Sequence, residues 1–101
     1  MTKWADYCIL KAKYNEDGTL VDELEVRADK GNLLDISCHW IRKAVVSKIE
    51  RGWTFATIHK NGDGRWEKGY DVRLVRANGG IYLRTDDRAV EADDLRNVPR
   101  A

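Results

Sequence analysis

Hydrophobic and polar positions alternate along the first part of the chain. In residues 4–14, Trp4, Cys8, Leu10 and Ala12 share one parity, while Tyr7 and Ile9 share the other with Lys11 and Lys13. A period of two is that of an extended strand, and apolar residues on both parities predict that its start is covered on both sides. Asn15-Glu16-Asp17-Gly18 reads as a turn, because Gly18 tolerates positive φ. Leu24, Val26 and Ala28 then alternate with Glu23, Glu25 and Arg27, which predicts a half-buried second strand over residues 20–28, forming a hairpin with the first.

The period changes beyond Lys30-Gly31-Asn32. Residues 33–37 read as a connection. Ile41, Val45 and Ile49 recur at i, i+4 and i+8, with Ala44 beside them, and Arg42, Lys43, Lys48 and Glu50 take the other side. That spacing predicts a helix over about 38–50. Asp35 or Ser37 is placed to accept from the first backbone N–H groups, and Gly52 stands where a C-terminal cap glycine is expected.

Alternation returns in residues 53–59, where Trp53, Phe55, Thr57 and His59 share a parity. It recurs in residues 70–77, with Val72 and Leu74 inward, and in 81–85, with Ile81 and Leu83 inward. Asn61-Gly62-Asp63-Gly64 is a turn, Lys68-Gly69 a break, and Asn78-Gly79-Gly80 a tight hairpin signal. Leu95 and Val98 are spaced to pin the last segment on the core. The predicted fold is α+β, with five mostly antiparallel strands in a curved sheet, open or closed into a barrel-like form, curled around or packed on one helix, in the order β-β-α-β-β-β. The expected core is Leu24, Val26, Ile41, Val45, Ile49, Phe55, Val72, Leu74, Ile81 and Leu83. With 101 residues, the chain reads as one domain over 1–101.

Composition narrows the function. Charged residues are 35% of the chain, above the usual quarter, which suits a small core under a charged skin. Eighteen basic residues against seventeen acidic ones leave +1, so no global field draws in nucleic acid or an anionic membrane. No apolar run reaches the roughly 20 residues of a membrane span. Residues 1–6 carry no secretory h-region, so a cytoplasmic location and two reduced thiols, Cys8 and Cys38, are expected.

Several runs carry a likeness. They are Trp4-Ala5-Asp6-Tyr7-Cys8-Ile9, the segment from Trp40 to Gly52 leading into Thr54-Phe55, Gly79-Gly80 with Tyr82-Leu83-Arg84-Thr85-Asp86, and Asp94-Leu95-Arg96-Asn97-Val98-Pro99. In this order and spacing they resemble a small bacterial family, domain of unknown function 3892, across nearly the whole chain. The closing run departs from the Asp-Asn-Leu of that family at Asp94. The resemblance implies a standalone small bacterial protein and supplies no catalytic residue.

Catalytic and metal chemistry lacks an assembled set. Cys8, Cys38, His39 and His59 are possible zinc ligands, but only Cys38 and His39 are close in sequence, and adjacent residues on regular structure point apart. Cys38 in a first helical turn would have an activated thiol, yet no orienting third residue accompanies it. The 61–64 turn lacks the terminal glutamate of a calcium loop, and no phosphate-binding glycine motif is present. Asp86-Asp87 and Asp93-Asp94 read as solvated tail charge. No metal, no cofactor and no catalytic residue is therefore expected.

Charge does segregate. Residues 52–84 hold six basic and three acidic groups, and Arg65, Arg73, Arg76 and Arg84 fall near Trp66 and Tyr82. Cations interleaved with aromatics can hold a polyanion. The first functional reading is a non-catalytic binding or accessory module using Trp66, Arg65, Arg73, Arg76, Tyr82 and Arg84 against an acidic protein. The alternative is a nucleic-acid-binding protein using the same surface, and a thiol-dependent enzyme comes third.

Overall fold

The structure, a computed structural model, describes residues 3–31, 33–96 and 98–99. Strands β1 (Tyr7–Tyr14), β2 (Val21–Ala28) and β3 (Cys38–Ile41) precede helix α1 (Arg42–Glu50), and β4 (Phe55–Lys60), β5 (Trp66–Ala77) and β6 (Gly80–Arg84) follow it. They form one six-stranded sheet in the order β3-β2-β1-β4-β5-β6. Each half is an antiparallel meander, and the halves join through parallel pairing of β1 with β4, Tyr7 opposite Phe55 and Ile9 opposite Thr57. The α+β class, the single described helix and the mostly antiparallel sheet agree with the sequence reading. The strand count is six rather than five, and the sheet is open rather than closed, because β3 and β6 lie at opposite ends of the order.

The extra strand is Cys38–Ile41, which the helical spacing of Ile41, Val45 and Ile49 had absorbed into the helix. Its backbone pairs with Glu23–Val26 of β2, and that ladder outweighs local helical preference. The helix therefore starts at Arg42 with Ile41 as N-cap and no capping side chain. Asp35 instead accepts from the Ile36 N–H, and the Ser37 hydroxyl bridges Arg27 and Glu25. The helix end follows expectation. Gly52 has φ +97°, its N–H donates to the Ile49 carbonyl, and the Trp53 N–H reaches the Lys48 carbonyl, the paired bonds of a Schellman cap.

The helix covers one face of the sheet. Val45 of the helix packs down on Ile9, Leu24, Val26, Phe55, Val72 and Leu83 of the sheet, joined by Leu95 and Val98 from the tail. Ile49 and Leu74 are half-buried against this cluster, and Ile81 is also half-buried. Ile41 is 59% exposed and is not a core residue, because the strand it ends turns its side chain outward. Val45 is the one fully buried residue of α1, so Val45→Ala should destabilise more than Ile49→Ala, by about 2 kcal/mol against a smaller loss. Urea unfolding of the two variants would decide it, and the reverse order would contradict this packing.

Three irregularities interrupt the ladders, one of them at the end of the first hairpin, where the pairing passes from Lys13–Glu23 to Tyr14–Val21, and two within the sheet. In β1 the pairing passes from Ile9–Val26 to Lys11–Glu25, so Leu10 is an extra residue and the inward parity switches from Ile9 to Ala12. In β5 the pairing passes from Asp71–Ala56 to Lys68–Ile58, so Gly69 and Tyr70 stand against Thr57 alone. The buried Thr57 hydroxyl accepts from the Tyr70 N–H at 2.8 Å, filling the gap that the bulge leaves in the ladder. The Asn78-Gly79 turn has positive φ at both residues, 48° and 82°, as a two-residue hairpin loop requires.

A buried carboxylate ties the elements together. Asp93 is 2% exposed and accepts from the Val21 N–H at 2.8 Å, the Leu83 N–H at 2.7 Å, and the Arg42 guanidinium at 2.8 and 3.0 Å. Arg42 also donates to the Ile81 carbonyl, and its partnership with Asp93 raises its pKa. The tail, β2, β6 and the first turn of α1 thus meet on one side chain. Arg84, 4% exposed, sits nearby, bonded to Asp86 at 2.6 Å and to the Ala92 carbonyl at 2.7 Å. That guanidinium holds the Asp86 carboxyl well below the usual range, at about 2.

Candidate functional site

Among the described residues no helix lies over the sheet face opposite α1. Pleat alternation, with the two bulges, places Glu23, Glu25 and Arg27 of β2 there, with Cys8, Leu10, Lys11 and Lys13 of β1. Ile58 and Lys60 of β4 and Trp66, Lys68, Asp71 and Arg73 of β5 complete it. Its centre is a small apolar cluster of Cys8, Leu10 and Ile58, overlaid by Trp4, Leu34 and Trp66. Around it stand six cations (Lys11, Lys13, Arg27, Lys60, Lys68, Arg73) and, with the Asp29 carboxylate beside Cys8, four carboxylates (Glu23, Glu25, Asp29, Asp71), a surplus of two positive charges.

The surplus is not evenly spread. Lys11 faces Glu25, and Lys13 faces Glu23, across the β1–β2 pair, so those charges offset one another. Lys68 pairs with Asp71 at 2.9 Å. Arg27 and Lys60 converge instead on Trp66, at 5.7 and 5.0 Å from the ring centroid. A π face holds both cations where no carboxylate neutralises them among the described ion pairs. Sequence reading singled out Trp66 but assigned neither Arg27 nor Lys60 to it. Arg27 is 39 residues away in sequence, and only the strand order brings it over the ring.

The other residues expected in this patch separate. Arg65 is exposed in the turn before Trp66. Arg73 and Tyr82 lie on the open face of β5 and β6, with Tyr82 half-buried opposite Val75. Arg76 pairs with Ile81, whose parity is that of the helix-covered face, and is exposed at the strand end. Arg84 is buried and bound to Asp86. Trp66 is therefore joined by Arg27 and Lys60, not by the arginines of β5 and β6.

The thiols and imidazoles lie apart from one another in role. Cys8 is fully buried and its thiol donates weakly to Asp29 at 3.9 Å. Burial, with the nearby Asp29 charge, pushes that thiol up to about 12. Cys38 is free and exposed on β3. His39 pairs with Glu23 at 3.0 Å, and His59 lies 3.6 Å from Glu67. Among the described residues no three His, Cys, Asp or Glu side chains gather as a metal site, and no helix is long and apolar enough to cross a membrane. A disulfide-exchange thiol probe should label Cys38 at once in the folded protein and Cys8 only on unfolding. Equal labelling of both native thiols would contradict the packing of β1.

No family model, no curated protein and no solved structure matches this chain.

Proposed function

We propose that the protein is a non-catalytic binding module whose uncovered sheet face holds an acidic protein segment. The observation that carries this reading is the convergence of Arg27 and Lys60, from two different strands, on Trp66. Cations pre-positioned on a ring lose little freedom when they meet a carboxylate, so the site suits charge recognition. Nucleic acid is the second reading, with Trp66 as the ring for a base beside Lys68 and Arg73 on the same face. Base stacking on Trp66 would have to compete with the two cations already over it, which places the acidic segment first. The likeness to the small bacterial family and a cytoplasmic location belong to this same reading.

The test is calorimetric titration with an acidic polyglutamate peptide and with single-stranded DNA and RNA at low salt. Binding of the peptide should weaken at least about tenfold in Arg27→Ala/Lys60→Ala and fall as salt rises. Tighter binding of the oligonucleotides would select the second reading. No binding to any of the three would remove both.

A further inference from the structure

On the helix-covered side, at the end where α1 meets β4, three aromatic rings surround one ammonium group. The rings are Tyr7 from β1, Trp40 from β3 and Trp53 from the loop after α1. Lys48 Nζ lies 5.6, 5.2 and 5.5 Å from their centroids. Tyr7 stands edge-on to both tryptophans, 4.8 Å from Trp40 and 5.9 Å from Trp53, each at 62°. The buried Phe55 stacks behind Tyr7 at 5.1 Å and holds the rings from below. Four separate elements build this arrangement, and no carboxylate forms an ion pair with Lys48 among the described residues.

We propose that Tyr7, Trp40 and Trp53 form a receptor for an alkylammonium group and that Lys48 is its displaceable resident. The cage depends on none of the residues of the acidic-segment reading. Convergent ring faces attract a cation through their quadrupoles, and they favour the ammonium that gives up least hydration. A primary ammonium is compact and strongly hydrated. A quaternary one has no N–H to desolvate and presents methyl groups to the rings, so the same cage should prefer it.

Displacement of the resident requires a change of side-chain rotamer and breaks no backbone bond. The Lys48 carbonyl is held by the helix cap, whereas its half-buried side chain is a flexible four-carbon stem. A cleft adjoins two of the rings. Trp53 is 45% exposed, and Tyr7 and Trp53 both line a cleft of about 380 Å³ that also contains Asp6 and Asp29. Lys3 and Lys30 offset the two carboxylates of this cleft, so recognition of a cation rests on the rings. The ligand chemistry, a methylated ammonium, is shared by a trimethylated lysine on a protein and by free choline.

The experiment follows tryptophan fluorescence and the NMR signals of the Lys48 side chain during titration with tetramethylammonium chloride. In the wild type, bound ligand should shift the Lys48 ε-methylene resonances toward their values in open solution. Lys48→Ala should bind about tenfold more tightly than the wild type, since an internal competitor has been removed. Trp53→Ala added to Lys48→Ala should abolish that binding, with circular dichroism confirming that both variants fold. Choline should bind where its neutral isostere, 3,3-dimethylbutan-1-ol, does not. Whichever of choline or a trimethyllysine peptide binds at least tenfold more tightly identifies the source, and either result supports the receptor. Failure of folded Lys48→Ala to bind tetramethylammonium overturns the receptor. Binding by that variant with no change in the wild type overturns the displaceable resident. If Lys48→Ala does not fold, the wild-type NMR titration alone decides, and unmoved Lys48 signals overturn the proposal.

Discussion

Asp93→Ala should lose about 3–5 kcal/mol of stability, the loss typical of a buried pair stripped of one partner. Three consequences act together. The Arg42 guanidinium loses both of its bonds to the carboxylate, and its charge is only 26% exposed to solvent. The Val21 and Leu83 N–H groups, both in strands with buried side chains, lose their acceptor. The tail loses its side-chain tie to β2 and β6 and keeps only its backbone bonds and the Leu95 N–H bond to the Tyr14 hydroxyl to hold Leu95 and Val98 over the core. Asp94 is the internal control. Its carboxylate is 42% exposed and 3.7 Å from Arg84, so Asp94→Ala should cost no more than about 1 kcal/mol. Urea melts of the two single variants give the comparison directly. Similar small shifts for both would mean that the Asp93 bonds do not hold the tail.

Gly69→Ala should be the next most damaging single change. An added Cβ would lie 2.4 Å from the Thr57 hydroxyl oxygen and 3.2 Å from the Thr57 carbonyl oxygen. The hydroxyl cannot simply rotate away, because Thr57 is fully buried, stiff at χ1, and bonded to the Tyr70 N–H. Overpacking of this kind costs about 1–3 kcal/mol, and displacing the hydroxyl adds the loss of the bond that completes the bulge. Thr57→Ala removes the same bond and opens space. The double variant should therefore be less destabilised than the sum of the singles, with a favourable coupling of at least about 0.5 kcal/mol. Strict additivity in a thermal or urea double-mutant cycle would show that the two residues do not meet as described.

The hairpins were legible because their signals are local. Alternation in residues 20–28, the Asn78-Gly79 turn and the cap at Gly52 each involve neighbours in sequence, and each appears in the structure. Where the reading slipped, a long-range partner decided the outcome. Ile41 fits a helical stripe and ends a strand, because β2 offers Cys38–Ile41 a ladder. Gly69 looks like a break and is a bulge inside β5, because Thr57 completes the missing bond from another strand. Asp93 and Asp94 look alike as adjacent tail acids, yet one is 2% exposed and the other half-exposed. Nothing in their sequence distinguishes them, since Arg42 lies 51 residues away. The same holds for the candidate surfaces. Trp66 was visible as an aromatic among cations, but which cations reach it depends on strand order, and the ring cage around Lys48 joins residues 7, 40, 48 and 53 across four elements.

The parallel junction of β1 with β4 sets the order in which this chain can assemble. Tyr7 finds its neighbour 48 positions later, so the middle of the sheet should be the last part to pair. Closing such a large loop earns no reward until β2, β3 and α1 are already in place, and topologies dominated by distant contacts fold in milliseconds to seconds rather than microseconds. During synthesis the first meander emerges with one border of β1 bare, and its Tyr7–Ile9 backbone is an adhesive template for any passing chain until β4 arrives. Expression at lower temperature or with a holdase chaperone should therefore raise the yield of monomer more than any change at the finished surface.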